Sequence, residues 1–174
     1  RELLNLKKTE LVAGGRYHHF SDLMKLPVSG RPELRDKPLP PVAHPRFDPN
    51  RDPFGTLRRR DVLLHFPYHD FDHVVKLVQK AARDPLVRRL SITLYRVAED
   101  SRICEALIEA IGRGKQVLVF VEVQARFDER SNLYWGEALE KAGAHVIYSY
   151  EHLKVHCKLL LIERKEGRGT QRYA

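Results

Sequence analysis

The spacing of apolar positions divides this chain into a first stretch without a period and a second that alternates between two. From Phe71 to Ala82, apolar residues fall at 71, 74, 75, 77, 78, 81 and 82, the spacing of an amphipathic helix. Val87 to Tyr95 reads as a strand. Ser101 stands where a helix cap belongs, ahead of apolar positions 103, 104, 107, 108 and 111 and the stop Gly112-Arg113-Gly114. Gln116 to Val123 is almost continuously apolar, the mark of a strand buried on both faces. A further helix is predicted from Ser131 to Ala142, ended by Gly143, followed by strands at His145–Tyr148 and Leu153–Glu163. Ahead of these, Asp61–Phe66 reads as a short strand and Pro67-Tyr68-His69-Asp70 as a turn. Strands alternating with helices predict an α/β fold, with a mainly parallel sheet flanked by helices.

The first stretch behaves differently. Gly14-Gly15 marks a tight turn, and Ser21 would cap a short helix from Asp22 to Leu26 that Pro27 ends. Eight of the ten prolines lie between Pro27 and Pro53, a density that forbids long helices and central strands. The expected division is an N-terminal part, residues 1–56, comprising the end of a preceding domain and a proline-rich connector, and a domain from 57 to 174. With no initial Met and no closing element after the strand that ends at Glu163, the chain is expected to be an excerpt of a longer protein.

Charge narrows the partners. Lys and Arg exceed Asp and Glu by 31 − 23 = 8, a balance that favours polyanions: nucleic acid, nucleotides, polyphosphate or anionic lipid. No apolar run approaches the roughly 18 residues that cross a membrane. Cys104 and Cys157 both lie in apolar periodic segments and read as reduced core thiols. A zinc site from His152, His156 and Cys157 is the alternative, but no second ligand cluster completes a tetrahedron.

The candidate chemistry follows from the fold rule. In open α/β sheets, ligands bind beyond the carboxyl ends of the strands. Arg96 directly follows one predicted strand, and Arg126 follows another within Gln124-Ala125-Arg126-Phe127-Asp128. Near the start of the last strand stand His156 and Lys158, two residues apart and so on one face. Guanidinium groups grip phosphate oxygens bidentately and stay charged, so Arg96, Arg126 and the His156/Lys158 pair point to an anion site. Each arginine alone has a plainer reading; Arg126 could simply pair with Asp128 or Glu129.

The segments GGRYHHFSDLM, GRPELRDKPLPP, DVLLHFPYHDFDHV, SITLYRVAEDSRI, VEVQARFDERSN and LKVHCKLLLI closely resemble class I polyphosphate kinases along nearly the whole chain. The resemblance implies reversible transfer of the terminal phosphate of ATP to polyphosphate through a phosphohistidine, on domains similar to the phospholipase D superfamily. Carried over by motif, the phosphorylated histidine falls on His156. The two arginines assigned to phosphate and Mg²⁺ fall on Arg96 and Arg126, with Lys158 completing the His-x-Lys signature. Arginine has no lone pair for a metal, so Mg²⁺ is expected on phosphate oxygens that these arginines also touch. The resemblance further implies ATP/ADP and polyphosphate as partners rather than nucleic acid, and a homo-oligomer. It places the protein in the cytoplasm, with peripheral attachment to the inner membrane as an option.

Two departures qualify it. Glu163 stands where the superfamily often has Asp, on the strand face away from His156. The chain also holds one His-x-Lys half where the superfamily site uses two. Two other functions stay open on the residues: a phospholipase D-type phosphodiesterase or nuclease half-site, and a polyanion-binding piece without turnover of its own.

Overall fold

The computed structural model describes residues 2–10, 14, 30–124, 129–150, 152 and 154–174. The chain divides into two compact units, residues 1–39 and 40–174. The described part of the first holds three single-turn 3-10 helices, Glu2–Leu4, Lys8–Glu10 and Pro32–Leu34. Gly15 and the helix expected from Asp22 to Leu26 lie outside the described residues.

The second unit carries helices α1 (Pro53–Arg59), α2 (Asp72–Arg83), α3 (Arg102–Gly112) and α4 (Glu129–Ala142). Its strands are β1 (Val87–Leu94), β2 (Gln116–Val121), β3 (His145–Tyr148), β4 (Leu160–Glu166) and β5 (Gly169–Tyr173). One sheet runs in the order β3-β2-β1-β4-β5. Local chemistry agrees with this assignment. The Ser101 side chain accepts the Cys104 N–H at 3.3 Å and caps α3. Gly143, in the left-handed region at φ 107°, ends α4. The buried face of α2, His73, Val75, Val78, Ala81 and Ala82, lies against α3 and β1. Leu90, Leu107, Leu139 and Ile162 are fully buried in the same core, each contributing about 2 kcal/mol by leaving water.

The proline-rich chain joins this unit at Val42. Its N–H donates to the Tyr68 carbonyl at 2.8 Å and its carbonyl accepts from Asp70 at 3.0 Å. The His44 N–H donates to His73 Nε2 at 3.0 Å, and Phe47, 4% exposed, stacks on the His73 ring. Residues 42–47 are thus strapped across the start of α2.

Several expectations need correction. Asp61–Phe66 is not a strand; Leu63 in its middle is 83% exposed, and the sheet edges are β3 and β5. The almost continuous apolar run of β2 is buried on one face only, through Val117, Val119 and Val121, while Leu118 and Phe120 on the other are half-buried. Cys104 is a core thiol, and burial pushes its pKa up to about 11, but Cys157 is exposed. The strand expected from Leu153 begins at Leu160, and a further strand, β5, follows it.

The sheet is mixed. β1, β2 and β3 are mutually parallel, whereas β4 pairs antiparallel with β1 and β5 antiparallel with β4. Among the described residues, no helix separates β3 from β4. Without such a crossover the chain cannot return to the amino edge before entering the sheet, so it runs straight back.

Candidate active site

That reversal decides where the candidate residues meet. In an all-parallel sheet the start of a strand lies at the edge opposite the carboxyl ends. Because β4 runs backwards, the segment entering it, residues 154–159, lies beside the carboxyl end of β1. The Thr93 N–H donates to the Leu159 carbonyl at 2.9 Å. The Thr93 hydroxyl accepts the Leu159 N–H at 2.8 Å and donates to the Cys157 carbonyl at 2.9 Å. One β1 threonine therefore fixes the backbone on both sides of Lys158.

Arg96, His156 and Lys158 line one cavity of about 990 Å³ between β1, the segment leading to β4, and the starts of α2 and α3. Its inner wall is apolar, with Val74, Val78, Ile92 and Ile103 among the lining residues; Asp100 and Ser101 also line it. His156 and Lys158 emerge on the same side, as their spacing predicts, and both reach Tyr95. The His156 ring lies edge-on, 4.5 Å from the Tyr95 ring at 86°. The Lys158 Nζ is 4.1 Å from the Tyr95 centroid and donates to the His156 carbonyl at 2.6 Å. Arg126 lies outside the described residues.

The Arg96 loop is held from α4. Asn132 is fully buried, and its Nδ2 donates to the carbonyls of Tyr95 at 2.7 Å and Glu122 at 2.8 Å. Its Oδ1 accepts the Val97 N–H at 3.1 Å. Ser131 donates to the Val97 carbonyl at 2.7 Å and Trp135 Nε1 to the Ala98 carbonyl at 2.9 Å. One helix face thus satisfies the main-chain groups that the ends of β1 and β2 leave open.

Glu122 performs the equivalent task for the histidine segment. It is 1% exposed, and its carboxylate collects three donors, one from the residues just after β2 and two from the segment between β3 and β4. Oε1 accepts the Gln124 N–H at 2.8 Å and the Ser149 hydroxyl at 3.0 Å, and Oε2 accepts the Val155 N–H at 2.7 Å. Burial by itself would raise its pKa. The bonds from Gln124, Val155 and Ser149, with the charge of Lys154, outweigh burial and hold it below the ordinary 4.5.

Sequence reasoning missed Asn132, Glu122 and Thr93. A signal existed for Glu122, a charged residue just after an unbroken apolar strand. None existed for Asn132, whose neighbours Arg130 and Ser131 are polar.

This geometry sits in a chain with known relatives. Residues 52–174 match the family described as Polyphosphate kinase C-terminal domain 1. A polyphosphate kinase of Klebsiella pneumoniae is 49% identical over 175 residues, covering 100% of this chain and 26% of that protein. That of Escherichia coli strain K12 is 48% identical over 177 residues with the same coverage. The crystal structure of the Porphyromonas gingivalis polyphosphate kinase superposes with a TM-score of 0.68 at 39% identity, covering 92% of this chain and 27% of that one. The chain spans about a quarter of the length of the relatives it matches. It belongs to the polyphosphate kinase family, and its sheet and helices carry that family's C-terminal domain 1.

Proposed function

We propose that this chain supplies one half of the catalytic centre of a polyphosphate kinase, with His156 as the phosphoryl carrier between ATP and polyphosphate. The observation that carries the reading is the meeting of His156, Lys158 and Arg96 in one cavity at the carboxyl edge of β1. An imidazole nitrogen attacks the γ-phosphorus of ATP. The N–P bond forms as the P–O bond to the β-phosphate breaks, and ADP leaves with that electron pair. A terminal oxygen of polyphosphate then attacks the same phosphorus, the N–P bond breaks, and the chain is one phosphate longer. Each step reverses along the same path.

Lys158 and Arg96 supply positive charge to the oxygens of the phosphoryl group in flight. Arg126, outside the described residues, is assigned the same task on its place in the sequence. The apolar wall limits water, the competing acceptor. The described donors do not suit Mg²⁺ as a resident ion: ammonium and guanidinium groups offer it no lone pair, and no group of three His, Cys, Asp or Glu gathers among the described residues. Magnesium is therefore assigned to the nucleotide phosphates, as part of the substrate. We also place the domain junction in the proline-rich stretch ahead of residue 57, and the second His-x-Lys half outside this chain.

The test is His156→Ala in the full-length protein. It should abolish transfer of ³²P from γ-labelled ATP to the protein, at unchanged thermal stability. Labelling at the wild-type level would remove His156 from the mechanism.

A further inference from the structure

One aromatic ring gathers the reactive edge of this site. Lys154, His156 and Lys158 alternate along an extended segment and emerge on one side. Their common neighbour is Tyr95. The His156 ring meets it edge-on at 4.5 Å, Lys158 Nζ stands 4.1 Å from its centroid, and Lys154 Nζ 5.5 Å. All three side chains are exposed, and long lysine side chains left to themselves spread over many rotamers. The Tyr95 main chain is fixed instead, its carbonyl held by the fully buried Asn132. The Tyr95 hydroxyl makes no hydrogen bond among the described residues, so its contacts to the site run through the ring.

We propose that Tyr95 is a positioning residue for phosphoryl transfer: its ring pre-organises His156 and the two lysines before phosphate arrives. Lys154 thereby joins Lys158 as a phosphate-binding cation. The electron-rich face of the ring attracts both ammonium groups, and the imidazole packs against the same ring. The nucleophile and the charges that receive the phosphoryl oxygens are then held in one geometry instead of being ordered at each turnover. The inference rests on the reading of His156 as phosphoryl carrier.

The test measures single-turnover labelling of the full-length protein from γ-³²P-ATP. Tyr95→Leu, which keeps bulk and loses the ring, should slow labelling about tenfold, and Tyr95→Phe should restore it to within about twofold. Replacing Tyr95 with phenylalanines of increasing ring fluorination keeps the shape while draining the ring of electron density. The rate should fall stepwise along that series, a response that a merely structural ring would not give. The series decides the matter even if the leucine variant fails to fold. A flat series, or a Tyr95→Phe variant as slow as Tyr95→Leu, overturns the proposal; the second result would hand the role to the hydroxyl. His156→Ala run in parallel separates the two levels. If it still labels, the phosphohistidine reading falls and this inference with it; if it is silent while the Tyr95 series is flat, only this inference falls.

Discussion

The two edges of the sheet are both rich in positive charge, and they use it in opposite ways. At the amino edge of β1, Arg164 is 17% exposed and bonds Asp84 at 2.9 Å and Glu166 at 2.7 Å. Glu166 also accepts the Tyr173 hydroxyl at 2.5 Å and pairs with Arg58 at 3.2 Å. Lys115 donates to the carbonyls of Asp84 and Val87. Arg58, Lys115, Arg164 and Glu166 are all answered by protein groups there, and the cluster ties α1, β1, β4 and β5 together. At the carboxyl edge, among the described residues, neither Lys154 nor Lys158 has a carboxylate within ion-pair distance. The buried carboxylate of that edge, Glu122, commits both oxygens to N–H and O–H donors. Charge answered by the protein holds the fold; charge left for a ligand makes a site. Net charge alone does not separate the two, because both edges add to the same surplus of 8.

Substitutions can break this comparison, and the largest effect is expected at the open edge. Lys158→Met should slow ³²P labelling of the full-length protein by about 100-fold. Its urea midpoint should barely move, because no buried partner is left behind. Arg164→Met should do the reverse. It strands Asp84 and Glu166 with less than their full complement of donors and should cost about 2 kcal/mol in urea unfolding, while labelling per folded molecule stays at the wild-type rate. A labelling defect in Arg164→Met larger than its loss of folded protein would erase the contrast between the edges.

Glu122→Gln lies between the two classes. Its amide nitrogen cannot accept, so either the Val155 N–H or the Gln124 and Ser149 pair loses its acceptor, at a cost of about 2 kcal/mol. Its pH signature is specific. Because folding depresses the Glu122 pKa, the carboxylate contributes its stability above the ordinary 4.5 and loses it as pH falls through the lower folded value. Urea unfolding of the wild type should therefore weaken below about pH 4.5, and Glu122→Gln should show a shallower acid limb. The smallest effect is expected for Thr93→Val, which removes the hydroxyl bridge to Cys157 and Leu159 at a cost of about 1 kcal/mol.

What could be read in the sequence follows from what kind of force fixes each element. The α2 and α3 helices were legible because packing of one apolar face sets their period, and Ser101 announces its own cap. The β5 strand was not, because only Tyr173 of its five residues is buried. Its signal was the turn: Gly167-Arg168 makes a two-residue hairpin loop, with Gly167 at φ 57°. Asp61–Phe66 has strand-like composition, but composition does not supply a hydrogen-bonding neighbour. Arg96, His156 and Lys158 could be named from spacing, yet their meeting depends on β4 running antiparallel, which an expectation of mainly parallel strands does not provide. Buried polar residues such as Asn132 were invisible for a simple reason. An asparagine that satisfies three main-chain groups in the core is written with the same letter as one that faces water.

The most direct test of the contrast between the edges is a crystal structure of the full-length protein with a non-hydrolysable ATP analogue. The account predicts the terminal phosphate at the carboxyl edge of β1, touching Arg96 and Lys158, with its phosphorus within reach of the His156 imidazole. A terminal phosphate bound at the opposite edge, near Arg58 and Arg88, with His156 out of reach, would contradict it.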